Sequence, residues 1–199
     1  GFNNKLILGT AQMGLAYGIN NNLGKISSKE SINILKYAFD KGIRTLDSAE
    51  VYGNAHQVIG LFHKTYQNSK FNIITKFPHN IKKNLIKDKL SNYLHVLSVK
   101  SIEVLMFHSF ESFQKNKDSL NTLAKMKLNG LINHIGVSVY SNDQIKSLIN
   151  EDLITVVQLP FNMLDNLLVK GELLNDLKKK GKIVHTRSTF LQGLFFKDL

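Results

Sequence analysis

Apolar positions fall in short continuous blocks, separated by longer stretches with helical spacing. The blocks occupy residues 6–8, 43–46, 71–75, 102–107, 135–137, 154–157 and 183–184. Continuous short runs, as opposed to alternating ones, read as strands covered on both faces, which is the signature of a parallel sheet. The helical stretches are as clear. Ser27 and Glu30 fit a capping box ahead of Ile32, Leu35, Ala38 and Phe39, which share one helix face, and Gly42 suits a left-handed stop. Ile86, Leu90, Tyr93, Leu94 and Leu97 form a second stripe. Leu120, Leu123, Ala124 and Leu128 form a third, closed by Gly130. Asn142 opens a shorter one with Ile145, Leu148 and Ile149. Leu167, Leu173, Leu174 and Leu177 make the last, closed by Gly181. These stripes are read as helix faces packing on the sheet, with Leu35, Leu94 and Leu123 against the strands.

Strand and helix therefore alternate, with roughly 25–30 residues per unit, as β/α architecture requires. Each run also stops at a residue that can do chemistry: Asp47, Lys76, His108, Ser138 and Gln158, and then His185, Arg187 and Ser188 after the last. In a parallel β/α barrel the C-terminal strand ends share one rim, where active sites sit. The expected fold is α/β, a TIM-type (β/α)8 barrel forming a single domain over residues 1–199. About seven strands are countable where a closed barrel of roughly 250 residues has eight. The barrel is expected to be incomplete at the C-terminus, lacking its last strand and its C-terminal helices and loop. The structural alternative is an open doubly wound sheet. That fold normally carries a G-x-G-x-x-G turn after its first strand, and Gly9-Thr10-Ala11-Gln12-Met13-Gly14 lacks the spacing.

Composition narrows the class only slightly. A chain of 199 residues, 43% hydrophobic and 21% charged, is ordinary for a globular domain. No apolar run approaches the roughly 20 residues of a membrane span, and no signal peptide is visible. Cysteine is absent, which removes disulfides and thiolate metal sites and fits the cytoplasm as the expected compartment. The net charge of +11 raises nucleic-acid binding, but the lysines are spread over solvated helix faces (Lys82, Lys83, Lys87, Lys89; Lys178, Lys179, Lys180). The same charge favours an anionic ligand such as a phosphorylated cofactor.

The densest motif runs Gly42-Ile43-Arg44-Thr45-Leu46-Asp47-Ser48-Ala49-Glu50-Val51-Tyr52-Gly53-Asn54. An Asp ends a strand, and a Tyr follows five residues later, before a Gly and a helix start. The Asp-x-Ala-x-x-Tyr-Gly stretch is similar to that of the aldo-keto reductase family. Leu8-Gly9-Thr10, Ile74-Thr75-Lys76, Met106-Phe107-His108, Gly136-Val137-Ser138, Val157-Gln158-Leu159-Pro160-Phe161-Asn162 and Leu191-Gln192-Gly193-Leu194 extend the resemblance over the whole chain.

The resemblance implies a catalytic tetrad of Asp47, Tyr52, Lys76 and His108, a nicotinamide cofactor, NADPH by family preference, and a small-molecule carbonyl substrate. The chemistry is coherent. No side chain supplies hydride, so a cofactor must. Tyr, with an ordinary pKa near 10, is a sluggish acid at neutral pH, and a neighbouring ammonium such as Lys76 lowers that pKa. Asp47 would hold Lys76 in place, and His108 would orient the carbonyl oxygen. The resemblance also implies that Ser138 and Gln158 hold the nicotinamide carboxamide, with Gly9, Thr10, Asp47, Arg187 and Ser188 as further cofactor-side residues. Two positions depart from the family pattern. Val139 stands where many members have Asn. Arg187 stands near where many stack an aromatic ring, although a guanidinium also stacks on a flat ring. The family's grip on the adenosine 2′-phosphate follows the last strand, in the segment expected to be missing.

Three further readings compete. A truncated or degenerate barrel could keep the tetrad by descent and act as a binding or interaction protein. Open edges at the first and last strands would favour self-association. An aldolase using Lys76 in a Schiff base is another, and the pairing of Lys76 with Asp47 argues against it. A zinc site among the seven histidines is disfavoured because none forms a close i, i+4 pair with a carboxylate partner.

Overall fold

The computed structural model describes residues 6–14, 27–160, 162–163 and 171–187. Strands and helices alternate in the order β1 (Ile7–Gly9), α1 (Ala11–Gly14), α2 (Ser28–Asp40), β2 (Thr45–Asp47), α3 (Ala55–Thr65), β3 (Asn72–Lys76), α4 (Ile86–Leu97), β4 (Ile102–Phe107), α5 (Phe110–Lys115), α6 (Leu120–Leu128), β5 (Ile132–Ser138), α7 (Asn142–Leu148), β6 (Val156–Pro160), α8 (Glu172–Lys179) and β7 (Ile183–Arg187). All seven strands are parallel, and each pairs with the next in sequence, so the sheet order is β1 through β7.

That order alone would suit a flat sheet; side-chain contacts show that this one is curled. Neighbouring strands lie about 4.8 Å apart, so β2 and β6 would be roughly 19 Å apart in a flat sheet. Yet the Gln158 Nε2 on β6 donates to the Asp47 Oδ2 on β2 at 3.4 Å. Lower in the wall, Ile7 of β1 packs on a cluster of Ile74, Val104, Met106 and Val156 from β3, β4 and β6. These are inward positions. The alternate positions Ile73, Leu105, Phe107, Ile135, Val137, Val157 and Leu159 point outward into a larger core with Leu35, Leu90, Leu97, Leu123, Leu148 and Leu177 of the helices. The two-residue period of a strand thus sorts a thin barrel interior from the strand–helix layer. The architecture is the expected incomplete (β/α)8 barrel, and the open doubly wound alternative fails.

The local signals explain most element ends. Ser27 caps α2 reciprocally: the Glu30 N–H donates to Ser27 Oγ, and the Ser27 N–H donates to Glu30 Oε2, both at 3.2 Å. Gly42 takes φ +91, where a side chain would be strained. Strand limits move by up to three residues from the apolar runs. β5 begins at Ile132, three residues earlier, because the ladder continues through the polar Asn133 and His134. Leu128 is a correction: it ends its stripe but is 87% exposed, because the buried face of α6 runs through Leu120, Leu123 and Met126, and Leu128, two residues on from Met126, falls on the opposite side. Leu167 lies outside the described residues. Among the described residues, no helix is long and apolar enough to cross a membrane.

Candidate active site

Asp47 and Lys76 are the last residues of β2 and β3, and His108 directly follows β4. Parallel strands bring these ends to one rim. Lys76 is fully buried, and its Nζ donates to Asp47 Oδ1 and, at 3.1 Å, to the Ser48 carbonyl. The other Asp47 oxygen takes the Gln158 amide described above, so one carboxylate joins three strands.

Tyr52 sits in the loop between β2 and α3, and that loop is tied down along its length. The Ser48 N–H donates to the Ile74 carbonyl at 2.8 Å, and the Glu50 N–H to the Lys76 carbonyl at 3.1 Å. The Tyr52 N–H donates to the Ala49 carbonyl at 3.1 Å. The Glu50 side chain accepts from Lys89 and from the Tyr93 hydroxyl, both on α4. Burial, followed by the hydrogen bond to Glu50 and its charge, raises the Tyr93 pKa far above the ordinary phenol value, so Tyr93 stays a donor. α1 braces the loop from the other side. A Cβ on Gly14 would lie 1.6 Å from the Tyr52 carbonyl oxygen, so only glycine permits this approach. The outcome is a largely buried Tyr52 ring whose centroid is 5.7 Å from Lys76 Nζ.

Beneath the pair, His56 at the start of α3 shares a 2.7 Å hydrogen bond with the Thr75 hydroxyl. Burial pushes the His56 pKa down to about 4; the Glu50 carboxylate opposes the shift and Lys76 adds to it. His56 is a neutral support of the site at physiological pH. On the outer side, the exposed His79 stacks face to face on the buried His108, with ring centroids 4.2 Å apart and planes 29° apart.

Ser138 and Gln158 end β5 and occupy the middle of β6, where they are register partners. Both are buried, and Gln158 Oε1 has no hydrogen-bond partner among the described residues. His185 is the register partner of Gln158 on β7, and its Nδ1 is likewise buried and unpartnered. Burial lowers the His185 pKa, against the pull of Asp47. Val139 is fully buried, and its N–H donates to the Gln158 carbonyl at 2.9 Å. Gly9 ends β1 in register with Asp47, and a side chain there would meet nothing within 4 Å. The Thr10 hydroxyl is spent on the Asp47 carbonyl at 3.1 Å. Arg187 ends β7. Ser188 lies outside the described residues, as do residues 15–26.

Glu50, Tyr93, Lys89, His56 and His79 carry no function in the sequence reading. Glu50 stood inside the quoted motif, but its partners are 39 and 43 residues away. His79 follows Lys76 by three positions, in a turn where no period marks it.

The aldo/keto reductase family model matches residues 5–198. The chain belongs to the aldo/keto reductase family. It is 28% identical over 168 residues to Probable aldo-keto reductase 1 of Glycine max, a match covering 78% of this chain and 48% of the relative. It is 27% identical over 149 residues to the NAD/NADP-dependent indole-3-acetaldehyde reductase of Schizosaccharomyces pombe, covering 70% of this chain and 52% of the relative. The chain thus spans about half the length of these curated aldo-keto reductases. Among solved structures, the glycerol dehydrogenase of Gluconobacter oxydans superposes with a TM-score of 0.69 at 21% identity, over 92% of this chain and 58% of that one. An aldo-keto reductase of Bacillus halodurans in its holo form gives 0.72 at 17% identity, over 95% and 63%. At such identities the superpositions speak for the shared barrel fold.

Proposed function

We propose that this chain carries the reductase machinery of its family: it reduces an aldehyde or ketone to the alcohol, with Tyr52 as the general acid. The observation that carries the reading is the Lys76 ammonium. It is fully buried, held by Asp47, and lies 5.7 Å from the centre of the Tyr52 ring. A buried charge is costly unless it is paired, and a structural ion pair alone would not need a phenol beside it. Here Lys76 compensates the negative charge left on the phenol oxygen when Tyr52 gives up its proton. Asp47 fixes the ammonium in that position. His108 orients the carbonyl oxygen and donates to the negative charge that develops on it.

The residues present fit a nicotinamide. Gln158 Oε1 is a buried acceptor without a partner among the described residues, as a carboxamide N–H requires, and Ser138 is its neighbour in register. Gly9 leaves open space over the end of β1. When bound, a reduced nicotinamide dinucleotide supplies the hydride. The side chain of Arg187, near the position where many family members stack an aromatic ring, lies outside the described residues. NADPH is the expected form, by family preference and by the net charge of +11.

The test is NADPH oxidation by the chain with a short aldehyde, beside Tyr52→Phe. Removing the general acid should cost about 10²–10⁴-fold in turnover, with NADPH affinity close to unchanged. Turnover of the variant within a few-fold of the parent would show that another group gives the proton. Binding without turnover in either protein would favour the non-catalytic barrel.

A further inference from the structure

We infer that Asp47 has a second duty beside its pairing with Lys76: by fixing which way the Gln158 amide faces, it makes the site take a hydrogen-bond donor at the reactive end of a dinucleotide and discriminate against analogues that lack one. Asp47 is in this respect a positioning residue, acting through Gln158. The inference rests on the reading that a nicotinamide lies against Gln158.

A glutamine amide has two unlike ends: Nε2 only donates and Oε1 only accepts. A carboxylate only accepts, so the end of Gln158 that faces Asp47 has to be Nε2, which stands 3.4 Å from Oδ2. The bond is long, and charge more than distance sets its sense. Turning the amide over would put Oε1 against a carboxylate oxygen, negative end to negative end. Asp47 is held in its turn. Its Oδ1 pairs with the buried Lys76 ammonium, and its backbone lies between Gly9 of β1 and Ile74 of β3 in the ladder. One carboxylate therefore holds the ammonium with one oxygen and orients the amide with the other.

The orientation decides what Gln158 presents to a ligand. Oε1 is the end left over, and it is buried and without a partner among the described residues. A buried acceptor in that state calls for a donor. A primary carboxamide has N–H groups to give. A methyl ketone of nearly the same shape has none, and its methyl group would leave Oε1 desolvated and unpaired. Glutamine alone would not make the distinction, because an unrestrained amide turns over and gives Nε2 to the ketone oxygen. The carboxylate prevents that turn. The simpler explanation is that Asp47 and Gln158 are two polar groups in mere contact. Neutralising Asp47 would then change the affinity for both dinucleotides alike.

The measurement is calorimetric titration with NADP⁺ and with its acetylpyridine analogue, in which a methyl ketone replaces the carboxamide. The two carry the same charge, so general effects of charge or loosened packing cancel in the ratio of their dissociation constants. The parent should favour NADP⁺ about tenfold, the worth of one donor to a buried acceptor. Lys76→Met keeps the carboxylate and should keep the preference. Asp47→Asn made in the Lys76→Met chain leaves no unpaired buried charge to unfold the protein, and it should remove most of the preference. In Gln158→Leu the preference should be absent whether residue 47 is Asp or Asn. A preference that survives Asp47→Asn in the Lys76→Met chain would overturn the inference, as would equal affinities in the parent. Binding of neither dinucleotide would remove the nicotinamide reading and the inference with it. A preference that depends on Asp47, in a chain that reduces no aldehyde, would sustain the inference and remove the reductase reading instead.

Discussion

Lys76 and Asp47, 29 residues apart in sequence, form an ion pair in which the ammonium is fully buried and the carboxylate side chain keeps 15% of its exposure. The two partners are not equivalent. Asp47→Asn leaves a buried charge without its counter-ion, whereas Lys76→Met removes the charge and fills its volume. Removing one partner of such a pair costs about 3–5 kcal/mol because the charge left behind is buried and uncompensated. The charge left by Asp47→Asn is the fully buried ammonium, and that left by Lys76→Met is a carboxylate with 15% exposure. Asp47→Asn should therefore lose more stability than Lys76→Met in urea unfolding, although both should suppress reduction. Equal losses of stability would mean that water reaches Lys76.

Glu50 joins the loop that holds Tyr52 to α4, by accepting from Lys89 and Tyr93. Glu50→Ala leaves the hydroxyl of the buried Tyr93 without an acceptor, at a cost of about 1–3 kcal/mol. Because Tyr93→Phe removes that need, the two substitutions should not add. A double-mutant cycle should give a coupling of about 0.5–3 kcal/mol. Additive losses would show that the hydrogen bond contributes nothing. The same Glu50→Ala variant should lower kcat more than it weakens cofactor binding, since Tyr52 is what the loop positions.

The sequence and the structure agree best where one strand is enough to define the feature. Ile102–Phe107 is a strand because six consecutive residues favour it, and β4 has those limits. Asp47, Lys76 and Gln158 were legible because a polar residue ending or interrupting a buried run has few bland explanations. α3 was harder. It buries His56 and His63 on its inner face along with Val58, Ile59 and Phe62, so polar residues break the apolar stripe. His63 is satisfied by the Leu97 carbonyl and the Phe71 N–H, partners that only the tertiary fold supplies. The stacking of His79 on His108 and the clamp on Glu50 are of the same kind. Each joins residues from different β/α units, and local periodicity carries no information on such pairs.

Gly14 makes a prediction about the far side of the same loop. A Cβ there would sit 1.6 Å from the Tyr52 carbonyl and 2.7 Å from the Ala55 nitrogen. Both are backbone atoms, so the clash cannot be relieved by turning a side chain. Gly14→Ala should cost about 1–3 kcal/mol, as overpacking does, and should displace Tyr52 relative to Lys76. Fluorescence titration with NADPH should show little change beside a clear fall in kcat. Wild-type turnover would show that α1 moves aside without carrying the loop.

His56 predicts how stability responds to acid. Its pKa in the folded chain is about 4, pushed down chiefly by burial, against an ordinary value of 6.5. The unfolded chain therefore takes up the proton first. This contribution to stability is complete above about pH 6.5 and is lost as pH falls toward 4. At 1.36 kcal/mol per unit the loss approaches roughly 3 kcal/mol. Burial lowers His63, His134 and His185 as well, so they act in the same direction. His56→Gln keeps a partner for the Thr75 hydroxyl and removes the titration. Urea unfolding at pH 7 and at pH 4.5 should show a smaller difference for His56→Gln than for the parent, with the variant gaining relative stability in acid. If both lose stability in parallel, His56 is hydrated in the folded chain and the acid sensitivity comes from the other buried imidazoles.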